Sequence, residues 1–304
     1  MFTFGSDPEF FLSHKKKFKS AIKVLPKKEK PIHKDGCYFY YDNVLAEAQI
    51  KPAATKEEAV NNIGDCLKIF ADIVRPNQLV LKSAHIFPDS ELQDEDARVA
   101  GCMPEWSAYT LEQNLPPEDV IAITGFRTAG GHIHLGQNAI LENELQSLNV
   151  VRMLDLFLAV PFVLLDKDNS GKARREIYGQ AGTHRKPDFG RLEYRALSNY
   201  WFSSPQLVEL VYDICEFTLE FVEAGKHEKY WSVVEDMLDD DDPSLAHQCF
   251  GYDKDVLQKC INTCDQKLAE MFMLIVENHV PHSIIQKITD FQRKEFDLYQ
   301  EWDL

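Results

Sequence analysis

The chain has 304 residues, 44% hydrophobic and 27% charged, with a formal net charge of −16. That length and composition describe a globular protein able to bury a sizeable core in one large domain or two modest ones. The negative charge argues against nonspecific nucleic-acid binding through a basic surface. Seven cysteines without paired spacing read as free thiols in a reducing compartment. Cys260 and Cys264, four apart in a helical pattern, read as helix-face residues. The start, Met-Phe-Thr-Phe-Gly-Ser-Asp, lacks a secretory pattern. The longest apolar stretch, Leu154 to Leu165, contains Asp155 and Pro161; it is short for a bilayer span and reads as a buried helix. The expectation is a soluble, cytoplasmic protein that binds neither membrane nor nucleic acid.

In chain order, residues 1–53 read as a compact β region, with Lys15, Lys16, Lys17, Lys27, Lys28 and Lys30 on a solvated hairpin and its loop. Thr55-Lys-Glu-Glu58 is a capping-box pattern opening a helix to about Val74. Its apolar face carries Ala59, Ile63, Cys66, Leu67 and Phe70. Gln78 to His85 reads as a strand, 88–120 as an irregular excursion with Trp106 and Tyr109, and Ile121 to Gly136 as strand. Glu142 to about Leu165 is a helix kinked near Pro161. Asp166 to Arg175 reads as a mobile substrate or phosphate loop, followed by a strand over Arg191–Leu197. Ser203-Ser204-Pro205 opens a helix to about Ala224, and 228–304 is helical with an acidic linker near 239–243. Strands and helices do not alternate regularly, which disfavours a doubly wound parallel sheet. The fold class is α+β, an antiparallel functional sheet backed by helices.

The chemistry concentrates in short strands, where alternate side chains share a face. Gly-Gly-His-Ile-His-Leu-Gly at 130–136 puts His132 and His134 on one side. The pair suits a zinc site, two core histidines, or one ligand beside a phosphate contact. Arg191, Glu193 and Arg195 likewise point together, a carboxylate between guanidiniums, with Arg185 upstream and Arg127 before the histidines. Such a set suits a cation-bound polyphosphate. Asp7 and Glu9 flank Pro8 and repel unless a cation lies between them. Glu47 is charged within an apolar strand and needs a partner. No P-loop, GxGxxG or GxSxG motif is present.

Gly-Ser-Asp-Pro-Glu-Phe-Phe-Leu at the start, Gly-Gly-His-Ile-His-Leu-Gly in the middle and Arg-Leu-Glu-Tyr-Arg at 191–195 together resemble the glutamine synthetase and glutamate–cysteine ligase superfamily. The nearest likeness is to its phage-type carboxylate–amine ligases (amidoligases). Asp42-Asn43-Val44 with Glu47, Gly101-Cys102 with Pro104, and Tyr178-Gly179 with Arg185 are similar to that variant. The pattern departs at Asp7, where the family usually has Glu, at Gln49, often Asn, and at Met103, often acidic.

The resemblance covers roughly residues 1–225 and implies a curved antiparallel sheet of the glutamine synthetase catalytic type, backed by helices. Residues 1–225 would be the catalytic domain and 226–304 a helical extension packed on it. It implies an ATP-dependent ligase, phage-encoded and acting in the host cytoplasm, that forms an amide through an acyl-phosphate. Its substrates would be small-molecule or peptide carboxylates and amines, its cofactors ATP and Mg²⁺ or Mn²⁺. Asp7, His132 and Glu193 would hold the cation bridging the ATP phosphates, and Glu9 and Glu47 a second near the substrate carboxylate. Arg191 and Arg195 would neutralise the transferring phosphoryl group, with Arg185 and Arg127 as further catalytic arginines, and His134 would contact ATP. The rival expectations are a guanidino-kinase-like phosphotransferase on the same fold, and a zinc hydrolase using His132 and His134.

Overall fold

The computed structural model describes residues 1–99, 105–114, 123–186, 189–228 and 253–304. The N-terminal β region comprises β1 (Thr3–His14), β2 (Lys17–Lys19), β3 (Ile32–Lys34), β4 (Cys37–Asp42) and β5 (Leu45–Gln49). Helix α1 (Lys56–Val74) follows, its Thr55 hydroxyl accepting from the Glu58 amide. The strand expected over 78–85 is two short ones, β6 (Gln78–Val80) and β7 (Ala84–Ile86). The excursion carries β8 (Glu105–Ser107) and β9 (Gln113–Asn114). The strand expected over 121–136 is broken into β10 (Phe126–Thr128) and β11 (Gly131–Gly136), and these join different sheets. The last strands are β12 (Thr183–Arg185) and β13 (Arg191–Tyr194), so Arg195 stands just beyond a strand expected to reach Leu197.

Among the described residues, the main sheet runs β3-β4-β5-β1-β11-β13-β12-β8-β9, with β2 and β6 also pairing β1; β10 and β7 form a separate two-stranded ribbon. The pairings are antiparallel. One face of the sheet is apolar. Phe10 of β1 and Phe39 of β4 meet Phe70 of α1 at ring distances of 5.9 and 5.0 Å. Burying aromatic and aliphatic side chains contributes about 1.5–3 kcal/mol apiece, which pins this face inward and leaves the polar face to line the site.

The long apolar helix divides into α2 (Glu144–Leu154), a π-helical turn at Asp155–Ala159 and α3 (Val160–Leu165). The expected kink at Pro161 is this wider turn, displaced toward the N-terminus because proline cannot donate to the carbonyl a turn earlier. The whole helix spans 22 residues, long and apolar enough to cross a membrane, but 83% of its most apolar window is buried inside the fold. The run within it looked too short to span; the full helix does not, and its burial argues for a core element.

A short helix α4 (Gly171–Arg175) precedes β12, and Pro205 opens α5 (Pro205–Glu223). The C-terminal helices are α6 (Lys254–Thr263), α7 (Gln266–His279), α8 (His282–Phe291) and α9 (Leu298–Trp302). Their apolar residues, from Leu257 to Trp302, belong to the same core cluster as Phe4 and Phe10. The acidic linker expected near 239–243, and the Gly101-Cys102-Met103-Pro104 segment, lie outside the described residues.

Candidate active site

The register of the sheet turns separate sequence motifs into one row. Asp7 lies opposite His132, and His134 opposite Glu193. On the other side of β1, Glu9 lies opposite Glu47, and Glu47 opposite Tyr40. Beyond β13, Arg185 lies opposite Glu193. Directly opposed residues share a face, so the polar face reads Asp42 and Tyr40, Glu47, Glu9 and Asp7, His132 and His134, Glu193, then Arg185. Its pairs join residues up to 125 positions apart in sequence.

Two clusters of possible metal ligands stand in this row, each with ligand atoms mutually within 4.8 Å: Asp7, His132 and Glu193 in one, Glu9, Asp42 and Glu47 in the other. Both sets implied by the resemblance are brought together, and Asp42 joins the second. In the first, Asp7 Oδ1 lies 3.1 Å from His132 Nδ1 and 3.1 Å from His134 Nε2, with Glu193 Oε1 3.8 Å from His132 Nδ1. In the second, Glu9 Oε2 accepts from the Gly130 amide at 2.6 Å and Glu47 Oε1 from the Tyr40 hydroxyl at 2.6 Å. Lys28 approaches Glu47 to 3.9 Å while lying over the Tyr40 ring. This lysine stays on a solvated loop, its side chain 60% exposed, and from there leans over the acidic cluster.

The electrostatics favour a bound cation. Burial, then the neighbouring Asp42, pushes the Glu9 carboxyl up to about 8, and the same two causes raise Glu47. Burial also raises Asp42, and burial with Asp7 pushes Glu193 up to about 7. Burial opposes ionisation of Asp7 as well, but His134 and His132 hold its carboxyl well below the ordinary range. His132 is pushed down to about 3 by burial and Arg195, so its imidazole is neutral at pH 7. Carboxylates that resist ionisation because they are buried and, second, because of one another are the setting a divalent cation relieves. All-oxygen donors in one cluster, and two carboxylates with one neutral imidazole in the other, suit Mg²⁺ or Mn²⁺. His134, the second imidazole of the expected zinc pair, turns onto Asp7 and is not a member of either cluster.

A stability measurement tests this balance. Glu9 and Glu193 have folded-state values of about 8 and about 7 against an ordinary 4.5. The folded state therefore holds protons that the unfolded state has released, and stability falls as pH rises from 4.5 toward 8. Without divalent ions, Tm should decline between pH 6 and pH 8.5. Mg²⁺ at ~100 times its Kd should restore about 2.7 kcal/mol, and at one fixed Mg²⁺ concentration the gain should be larger at the alkaline end, where the carboxylates are ionised. A melting temperature that rises over this window and ignores Mg²⁺ would contradict the assignment.

The arginines separate into distinct environments. Arg195 is buried; its Nε donates to Glu105 at 3.1 Å, its Nη1 pairs with Glu193, and its guanidinium lies over the Tyr178 ring. Arg185 Nη1 stands 3.7 Å from Glu193. Arg191 is exposed and lines a cavity of about 340 Å³ with His134, Gln49, Lys51 and Tyr38. Arg127 is not brought into the row. It sits on the β10–β7 ribbon, donating to Asn43 Oδ1 and to the carbonyls of Thr124, Phe126 and Ala97. It anchors the turn after Asp42, and these donations hold it away from the row in which it was expected.

The Asp166–Arg175 segment is also not the mobile loop expected. Asp166 accepts from the Ser198 hydroxyl at 2.5 Å, Asp168 from Ser83 and Ser170, and Arg174 and Arg175 both donate to the Ala196 carbonyl. Sequence reasoning missed four contributors: Asp42 as a cluster member, Glu105 as a partner of Arg195, Tyr40 as a donor to Glu47, and Lys28. Alternation along β4 from Tyr38 signals Tyr40 and Asp42; nothing local signals Glu105, whose strand enters the row only through β12.

Three comparisons with known proteins add to this geometry. A family model described as phage phiEco32-like COOH.NH2 ligase type 2 matches residues 120–303. The match takes in His132, His134, Arg185, Arg191, Glu193 and Arg195, and it runs on through the C-terminal helices, where no site motif stands. The curated proteins gave no match. Among solved structures the chain is similar to a bifunctional glutathione synthetase from Pasteurella multocida, at 10% identity and a TM-score of 0.36. That alignment covers 96% of this chain and 51% of the other, so the chain spans about half that protein's length. A likeness this low carries no argument.

Proposed function

The chain belongs to the phage phiEco32-like COOH.NH2 ligase type 2 family, and from that premise we propose that it is an ATP-dependent ligase joining a carboxylate to an amine. The observation that carries the reading is the single row of two cation-ready clusters and paired arginines. The sheet is read as the glutamine synthetase catalytic type, with 1–225 as catalytic domain and 226–304 packed on it. Small-molecule or peptide acids and amines in the cytoplasm would be its substrates.

The two cations would be held by Asp7, His132 and Glu193, and by Glu9, Asp42 and Glu47; when bound they supply charge neutralisation for phosphate and carboxylate oxygens. A substrate carboxylate oxygen attacks the γ-phosphorus of ATP and ADP leaves. The amine then attacks the acyl carbon, phosphate departs, and the amine loses a proton. Phosphoryl transfer depends mainly on positioning and on neutralising oxygens. Arg191, at the open cavity beside His134, is placed to meet phosphate, while Arg185 sits one strand further along the row. Arg195, buried against Glu193 and Glu105, sets the position of Glu193.

The test is ADP and phosphate release from Mg·ATP, with and without a pool of amino acids, small acids and cell extract. Release that requires the pool, accompanied by an amide product, is expected. A stable phosphorylated product without amide would instead mean a kinase, and pool-independent silence of the folded, Mg²⁺-loaded protein would overturn the proposal.

A further inference from the structure

Cys37 and Cys66 take no part in the polar row, yet the fold sets their sulfurs against each other. Cys37 opens β4 on its apolar side, the side that also presents Phe39. Cys66 lies one turn before Phe70 on the buried face of α1. The rings of Phe39 and Phe70 meet at 5.0 Å. Two residues of strand cover about 6.8 Å and four residues of helix about 6 Å. The matched steps carry the same strand-on-helix packing from the ring pair to the cysteine pair. There the Cys66 thiol donates to the Cys37 sulfur, and the Lys51 backbone N–H donates to that sulfur as well.

The two thiols differ in access. Cys37 lines a cavity of about 430 Å³ together with Asp35, Lys51, Asn62, Asp65 and Lys68, whereas Cys66 lies behind it, fully buried. The donation from Cys66, aided by that from Lys51, holds the Cys37 thiol down at about 7, while burial pushes Cys66 up. A thiol that titrates near ambient pH is the best placed to attack a disulfide. Cys215 and Cys260 are buried too, but burial pushes both thiols up, and neither lines this cavity.

We propose that Cys37 and Cys66 are an oxidisable pair, a modification site at which a low-molecular-weight disulfide entering the cavity is reduced and a Cys37–Cys66 bond is formed. The Cys37 thiolate attacks one sulfur of the incoming disulfide, giving a mixed disulfide and releasing one thiolate. Cys66 then loses its proton and attacks the Cys37 sulfur, releasing the second thiolate. The pair gives up two electrons, and the small disulfide is reduced to two thiols. The new bond ties β4, which carries Tyr40 and Asp42 in the row, to α1. The pair itself lies on the apolar side of the sheet, so this site is independent of the ligase reading.

The test uses the reduced, full-length protein and oxidised glutathione as the probe, below the melting temperature and without divalent ions. Remaining thiols are blocked with N-ethylmaleimide, and the digest is read by mass spectrometry before and after dithiothreitol. The wild type should yield a linked peptide pair carrying Cys37 and Cys66, which dithiothreitol separates. Cys66→Ser should stop at the mixed disulfide, with glutathione held on Cys37, and Cys37→Ser should leave Cys66 a free thiol. A folded wild type in which Cys37 and Cys66 stay unlinked, or link to other cysteines, overturns the proposal. Cys37 left free in Cys66→Ser, or glutathione on Cys66 in Cys37→Ser, overturns Cys37 as the attacking thiol. Should a variant fail to fold, linkage in the wild type alone decides.

Discussion

Replacing Glu193 with glutamine is expected to lower ligase turnover on the order of 10²–10³-fold, the loss typical when one preorganised electrostatic contact is removed from a transition state. Glu193 is the point where the row's two chemistries meet. Its carboxylate lies in the cluster with Asp7 and His132, and it also pairs with Arg195 and with Arg185 at 3.7 Å. The amide keeps the side-chain shape and can still accept from Arg195, so the fold should survive while the cluster loses one negative charge. ADP release, melting temperature and Mn²⁺ affinity separate these effects. Full turnover in the variant would show that the reacting groups lie elsewhere; lost turnover with a collapsed melting temperature would show that Glu193 serves only the core.

Arg195→Met should cost more in stability than in shape. Arg195 is 2% exposed and connects two buried carboxylates, Glu193 and Glu105, across β13 and β8. Methionine fills similar volume but leaves Glu105 buried without its cation, whereas Arg185 remains near Glu193. Breaking a buried pair from one side costs about 3–5 kcal/mol, corresponding to a drop in Tm on the order of 10 °C for a chain of this size. Combining Arg195→Met with Glu105→Gln should recover part of that loss, since the stranded charge is then removed. A single variant as stable as wild type, or a double variant no better than the single, would show that Glu105 is not the residue Arg195 serves.

The motifs reached the site because strand alternation is a local rule. His132 with His134, Asp7 with Glu9, and Arg191 with Glu193 each occupy one face by spacing alone, and the structure brings Asp7, His132 and Glu193 together as the resemblance implied. The reading failed where proximity in sequence stood in for proximity in space. Arg127 precedes the histidines by five positions, yet a break between β10 and β11 sends it to another sheet, where carbonyls use its donors. Arg195 shares alternation with Arg191 but lies past the end of β13, so one is buried under Tyr178 and the other opens onto a cavity.

The sequence by itself determined the α+β class, the positions of α1 and α5 through their caps, and the residue types able to hold a cation and a polyphosphate. These depend on period, capping and donor chemistry, all of which are written within a few residues of one another. Only the tertiary structure decided which carboxylates share a cluster, that Asp42 joins Glu9 and Glu47, and that Glu105 and Tyr178 stand behind Arg195. Those relations are set by strand order and register across β4, β5, β1, β11, β13, β12 and β8, and register comes from burying the opposite, apolar face, a property of the whole sheet rather than of any one segment.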